Sequence, residues 1–438
     1  MNLKNSLVSG TIILTLSGLL SRVIGFFYRI FLSQRFGEEA MGIYQLTGPI
    51  IGLTYALCIS GIQSAIAKQI AEKTSKTVLY IGMSISLFMS SLCMFFLLHS
   101  AKYLANNFFH EPRLAPLITV LAYSLPLSCV HSCLNGYFYG KKHAKYPAIL
   151  QLLEQLARVL SVVIIFAVND ANDVKTPLYV TVIGLLIGEV VSSLFSILFY
   201  KFEKTNDYFV RNTRPSSIVL EIFRYSIPLT TTRIVVGLLQ SLENIYIPQK
   251  LLLAGYDTKE ALSLFGVLTG MALPLIMFPT AITGSLSSML LPAVSEQNAE
   301  KNSLNLSEML KKSISFCIFL GFICFFTFFV FGNFLGNVLF HSSLAGTFIM
   351  SLSFICPFMY TNTSLGAVIN GLGKTGVTFF IHIISTLIRL FFVFYMIPKF
   401  GIQGYLWGVL LSQLFTFLTS FGYINKHFNI LPIKFHLE

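Results

Sequence analysis

The stretch Ser17–Ile30, "SGLLSRVIGFFYRI", lies inside a long apolar run and carries two arginines, Arg22 and Arg29. An arginine at the centre of a bilayer costs roughly 2.5–3.5 kcal/mol on insertion scales. Whether the run is a membrane span therefore decides both the fold and the reading of the arginines. The rest of the chain answers the first question. Hydrophobic residues make up 55% of the 438, charged residues only 11%, and Phe alone contributes 42. Soluble domains carry about a quarter charged residues. Apolar runs of about 20 residues, each long enough to cross a hydrocarbon core, recur along the whole sequence. A β-barrel would show shorter alternating segments instead. The expectation is an all-α polytopic membrane protein.

About twelve spans are expected, roughly at 6–32, 42–66, 78–98, 114–139, 148–168, 178–200, 226–250, 264–292, 314–335, 346–371, 377–397 and 404–424. The first is too long and too basic for a cleavable signal, and has no small-residue cleavage site. With the N-terminus inside, about 18 of the 30 lysines and arginines fall in inner segments, about 7 outside and about 5 within spans. That asymmetry follows the positive-inside rule and places both termini in the cytoplasm. The net charge of +12 is thus a topology signal, and nucleic acid is not an expected partner. All seven cysteines lie in apolar runs and read as small buried residues rather than a disulfide framework.

The longest polar connection, Lys201 to Arg224, divides the chain. The expected organisation is a six-helix lobe over 1–200, a cytoplasmic linker over 201–225, a second six-helix lobe over 226–424 and a cytoplasmic tail over 425–438. The halves resemble each other. "EAMGIYQLTG" (Glu39–Gly48) matches "EALSLFGVLTG" (Glu260–Gly270), and "NGYFYGKK" (Asn135–Lys142) matches "NGLGKT" (Asn370–Thr375). Arg158 and Arg389 hold matching places, as do Gly184 and Gly408. Six spans return the chain to its starting side, so the repeats are parallel. Transporters built from such repeats bind at the repeat interface and alternate access around it.

The expected spans hold five arginines (Arg22, Arg29, Arg158, Arg233, Arg389) and three glutamates (Glu154, Glu189, Glu243). Ionisable groups at this depth face the bundle interior or a wet cavity. Guanidinium groups match phosphate oxygens bidentately and stay charged. Arg22, Arg233 and Arg29 are therefore the candidate ligands of a diphosphate. Glu243 and Glu189 are candidate coupling acids or counter-charges. Glu154 and Arg158, four residues apart with the acid first, read as a structural ion pair. A drug-cation site would need acids in excess, and the bases outnumber them.

Other motifs carry little. "GLGKTG" (Gly371–Gly376) lacks the earlier glycine and preceding strand of a phosphate-binding loop. In "CVHSC" (Cys129–Cys133), His131 points away from the helix face that the two cysteines share. No metal, cofactor or catalytic constellation is expected. Pro126, Pro274, Pro279 and Pro357 fall within spans, where proline kinks a helix. Such kinks serve as bending points or stay fixed by packing.

Three segments carry a family resemblance: "SGLLSRVIGFFYRIFLSQRFGEEAMGIYQLTGPI", "IPLTTTRIVVGLLQSLENIYIPQKLLLAGYDTKEALSLFGVLTGMALPL" and "SSMLLPAVSEQ". They resemble the stage V sporulation protein B group, in the polysaccharide-transporter branch of the multidrug/oligosaccharidyl-lipid/polysaccharide exporter superfamily. The resemblance implies a V-shaped transporter of two six-helix lobes. It also implies export of a polyprenyl-diphosphate-linked saccharide across the bacterial cytoplasmic membrane, such as a peptidoglycan precursor for the spore cortex. "SRVIGF" resembles the "SRVLGF" segment of the lipid II flippase family, where the arginine lines the central cavity. That role falls on Arg22. Arg29 stands where the flippases have an acidic residue.

The expected function is thus a flippase acting by alternating access, a transporter and not an enzyme, working as a monomer among membrane lipids. The alternative is a Na⁺- or H⁺-coupled exporter of drugs or small solutes. A membrane glycosyltransferase would need a large outer loop, and the longest here are about 10–15 residues. A scaffold without transport would be insensitive to changes in the cavity.

Overall fold

The computed structural model describes residues 3–73, 76–168, 175–203, 215–299 and 303–428. The linker expected at 201–225 is described only at its ends, and the tail expected at 425–438 only as far as residue 428. The remainder of both lies outside the described residues. Among the described residues there is no strand. In lipid the backbone must satisfy its own hydrogen bonds, and a helix does so within one segment.

The chain divides into two compact units, Met1–Ile245 and Tyr246–Glu438. The first contains α1 (Leu3–Gln45), α2 (Thr47–Tyr55), α3 (Gly61–Lys73), α4 (Lys76–Tyr103), α5 (Leu114–Gly140), α6 (Lys145–Val168), α7 (Lys175–Phe202) and most of α8 (Pro215–Leu253). The second takes the end of α8, then α9 (Thr258–Gly266), α10 (Leu273–Met277), α11 (Thr280–Ala299), α12 (Ser303–Phe340), α13 (Ser343–Ser353), α14 (Cys356–Gly371), α15 (Thr375–Phe391), α16 (Ile397–Phe400) and α17 (Ile402–Phe428). A wide π-helical turn, Ala56–Ser60, joins α2 to α3, and another, Val267–Ala272, joins α9 to α10.

Among the described residues, ten helices are long and apolar enough to cross a membrane, or up to eleven if the bent pair α13–α14 counts as one span. The expected seventh span, 226–250, is helical as part of α8 but falls outside that set. Its middle is polar, with Thr230, Thr231, Thr232, Arg233, Gln240, Ser241, Glu243 and Asn244. The expected eighth span, 264–292, breaks between α10 and α11 at Phe278–Pro279. The tenth bends by 58° between α13 and α14. Pro357 lies just past that bend and has no N–H to offer the preceding turn. Pro126, by contrast, sits inside α5 without dividing it.

The internal repeat is visible in the packing. Gly140 closes α5 against α3: a Cβ built on it would stand 2.7 Å from the Ala67 carbonyl and 2.9 Å from Ile70 Cβ. Gly371 closes α14 against α11 in the same way, 2.8 Å from the Leu291 carbonyl and 2.9 Å from Val294 Cβ. Just beyond, Lys142 and Gly373 take φ of 62° and 75° and end the two helices alike. Arg158 lies eighteen residues after Gly140, and Arg389 eighteen after Gly371.

Lipid is as apolar as a leucine side chain, so close packing and buried polar contacts hold such helices together. In the first unit Ile59, Ile62, Ile66, Leu79, Phe138 and Ile222 form a core. Ser86 Oγ donates to the Cys58 carbonyl at 2.6 Å, and Ser193 Oγ to the Leu127 carbonyl at 2.8 Å. In the second unit Val294, Leu310, Leu365 and Val368 pack together, and Tyr360 donates to the Ile276 carbonyl at 2.7 Å.

Candidate functional site: a polar cavity in the first unit

α8 packs its N-terminal half on α3, where Gly61 makes room. A Cβ there would stand 2.9 Å from the Ser226 carbonyl and closer still to the Thr230 hydroxyl. Ile218 and Ile222 then join the core of the first unit. This seats the polar stripe of α8 across from α2 and α3. Between them lies a cavity of about 970 Å³. α8 lines it with Thr232, Arg233, Val236, Gly237, Gln240, Ser241 and Asn244, spaced as one helix face. α2, the π-turn and α3 contribute Gly48, Tyr55, Ser60, Gln63 and Ser64, and α5 contributes Tyr139. Among the described residues, Arg233 is the charged group in this lining, and its side chain is exposed.

The other candidates stand elsewhere. Arg22 is exposed on α1 and Arg29 is half-buried there. α1 packs on α6 through a face that includes Ser17, Ser21 and Tyr28, with Gly25 set close to Gln155. Neither arginine lines the cavity. Glu243 is buried on α8 beside the lining face but is not part of it. Arg389, in the second unit, reaches Thr386 Oγ1 at 3.4 Å.

Glu154 and Arg158 pair, with Arg158 Nη2 donating to Glu154 Oε1 at 2.5 Å. Two glycines of α7, four residues apart, bring that helix against the pair. A Cβ on Gly184 would stand 3.1 Å from the Arg158 carbonyl, and one on Gly188 3.0 Å from the Glu154 carbonyl. Small residues at this spacing let membrane helices approach closely. Glu189, next to Gly188, is buried with its Oε2 2.9 Å from His131 Nδ1. The approach is oblique, and neither atom is in hydrogen-bond alignment with another group among the described residues.

From this pair a line of polar atoms leads to the cavity. Ser132 Oγ is 3.4 Å from His131 Nε2, and Tyr55 Oη is 3.4 Å from Ser132 Oγ. Tyr55 also donates to Gln63 Oε1 at 3.3 Å. Tyr55 and Gln63 both line the cavity. Sequence reasoning weighs His131 only as a metal ligand and passes over Ser132, Tyr55 and Gln63. The signal for His131 was present in Glu189, a buried acid that needed a partner, but that partner lies on another helix.

Outside the spans, Arg113 clamps two acids. Its Nη1 reaches Glu39 at 2.7 Å and its Nε reaches Glu111 at 2.7 Å. The hydrogen bonds to Glu111, then that to Glu39, push its guanidinium above the ordinary value, so it stays charged at any working pH. The clamp ties the end of α1 to the start of α5. His143 and Glu203 similarly join the α5–α6 turn to the end of α7.

The fold is that of a multi-pass membrane transporter. An inward-facing multidrug resistance MATE family transporter of the MOP superfamily superposes with a TM-score of 0.72, covering 93% of this chain and 94% of that one at 16% identity. The family model described as polysaccharide biosynthesis protein matches residues 7–298, and the chain belongs to that family. Stage V sporulation protein B of Bacillus subtilis (strain 168) is 28% identical, over 99% of this chain and 86% of its own length. Lipid II flippase MurJ of the same organism is 21% identical, over 97% of this chain and 84% of its own.

Proposed function

We propose that the protein translocates a polyprenyl-diphosphate-linked saccharide across the bacterial cytoplasmic membrane by alternating access, with both termini in the cytoplasm. The observation that carries this reading is the cavity of about 970 Å³ with Arg233 as its charged lining residue. The nearby acids are engaged or turned aside: Glu154 with Arg158, Glu189 with His131, and Glu243 buried off the lining. Such a site favours an anion. Arg233 holds the diphosphate, the side-chain amides of Gln63, Gln240 and Asn244 meet the sugars, and the polyprenyl tail stays in lipid. Arg22 and Arg29, on α1 outside the cavity lining, are further guanidinium groups for the headgroup on its way to or from Arg233. The family match and the named relatives support a cell-wall or spore-cortex precursor as cargo. The transporter works as a monomer and performs no bond chemistry.

The test is lipid binding by the purified protein, read by native mass spectrometry. The ligands are a polyprenyl-diphosphate saccharide, a polyprenyl monophosphate and a bulk anionic phospholipid. Preferential retention of the diphosphate lipid, lost in Arg233→Ala, is the expected result. Equal retention of all three, unchanged by the substitution, overturns the reading.

A further inference from the structure

The flippase reading leaves His131 and Glu189 without a task. Both are buried, on α5 and α7, and their facing atoms are 2.9 Å apart. With His131 neutral, the cluster Glu154, Arg158, His131 and Glu189 holds two carboxylates and one guanidinium. One added proton balances it. An unbalanced charge in such a partly buried cluster costs more than a balanced set.

The internal repeat shows what packing alone requires here. His131 lies nine residues before Gly140, and Asn362 nine before Gly371. Glu189 lies five residues after Gly184, and Gln413 five after Gly408. In the second unit this matching pair is joined, Asn362 Nδ2 donating to Gln413 Oε1 at 3.0 Å. Two amides thus suffice to link these helices. The first unit places two titratable groups at the same position, which packing does not demand.

We infer that His131 and Glu189 form a one-proton binding site, reached from the cavity through Tyr55 and Ser132. A proton arriving at Tyr55 Oη releases the phenol's own proton to Ser132 Oγ, whose proton passes to His131 Nε2. The Nδ1 proton then lies between the imidazole and Glu189 Oε2. One proton has entered, and both hydroxyls end neutral. The charged and titratable groups facing the pair are Glu154 and Arg158 from α6, Tyr55 from α2 and Cys129 on α5 itself. Cys58, from the π-turn, touches Cys93 of α4 and reaches Cys129. α3 meets α5 here with the neutral Gln63. Tyr28 of α1 lies within the field of Arg158, and Arg233 of α8 within reach of Tyr55. An anion docked at Arg233 therefore acts on the mouth of this path. That proton occupancy is coupled to transport rests on the flippase reading; the site itself does not.

The test is an infrared pH titration of the full-length protein in lipid nanodiscs. The wild type is expected to show one titrating carboxyl–imidazole signature. The double variant His131→Asn/Glu189→Gln, which copies the amide pair of the second unit, is expected to lose it. Should that variant not fold, Glu189→Gln alone must lose the carboxyl band. Tyr55→Phe is expected to keep the titration but slow its hydrogen–deuterium exchange. A signature unchanged in the double variant, or absent from the wild type, overturns the inference. The same nanodiscs carry a flipping assay with the diphosphate lipid. A wild type that titrates but moves no lipid overturns the flippase reading and leaves the proton site standing. One that moves lipid but does not titrate overturns the site alone.

Discussion

Gly188 on α7 lies so close to Glu154 on α6 that a Cβ built on it would stand 3.0 Å from the Glu154 carbonyl. Gly184, one turn earlier, meets Val162 Cγ2 more tightly still. Together they seat the Glu154–Arg158 pair beside Glu189. Gly188→Val is expected to push α6 from α7 and destabilise the protein by roughly 1–3 kcal/mol, the usual cost of overpacking. Thermal unfolding in detergent measures it. An unchanged midpoint would mean that α6 shifts freely.

Arg233 distinguishes charge from geometry. Losing a charge-assisted hydrogen bond costs about 1.5–3 kcal/mol, or roughly ten- to hundredfold in affinity. Arg233→Ala is expected to weaken binding of the diphosphate lipid by that factor. Arg233→Lys should recover only part, because lysine is a point charge without the planar fork. Competition binding against a monophosphate lipid checks both.

The Arg113 clamp is a stability device. Glu111 is almost fully buried, while Glu39 keeps 20% of its side chain exposed. Removing the partner of a buried charge costs about 3 kcal/mol or more, and an exposed pair contributes at most about 1 kcal/mol. Arg113→Ala is therefore expected to destabilise more than Glu39→Ala. A double-mutant cycle between Arg113 and each acid gives the two couplings.

Gly37 interrupts α1 with φ of 72° and open space around its α-carbon. A Cβ there meets no neighbour, so the cost of Gly37→Ala is backbone strain alone, roughly 1–3 kcal/mol in this nearly glycine-only region. If unfolding measurements find it neutral, the bend at Gly37 is not held in solution.

The spans and their repeat were legible because membrane helices are written in long apolar runs and close contacts are marked by glycine. Gly140 corresponds to Gly371, and Gly184 to Gly408, in the repeated pattern. The polarity of α8 is plain in sequence, but its purpose is not: of the residues that make it less apolar than a span, Thr232, Arg233, Gln240, Ser241 and Asn244 line the cavity. Pro126 and Pro357 look alike in sequence, yet one helix runs through and the other bends, because surrounding packing decides whether a lost hydrogen bond becomes a corner. In sequence, the neighbours of His131 on its own helix are Cys129 and Cys133. Its partner, Glu189, lies two helices later, and no local spacing encodes that meeting. Arg22 and Arg29 were easy to notice as charges, but sequence alone did not set which face of α1 carries them.

The π-turn at Ala56–Ser60 makes the helix from Thr47 to Lys73 wider at one point than an α-helix. Such a turn holds an additional residue. A chain shortened by one residue there could remain helical from end to end. Yet each α-helical residue carries a rotation of about 100° and a rise of about 1.5 Å. Tyr55 and Gln63, which touch across the turn at 3.3 Å, would then point in different directions. The turn is thus an angular setting built into the chain, and a single deletion could preserve the helix while dismantling the wall of the cavity.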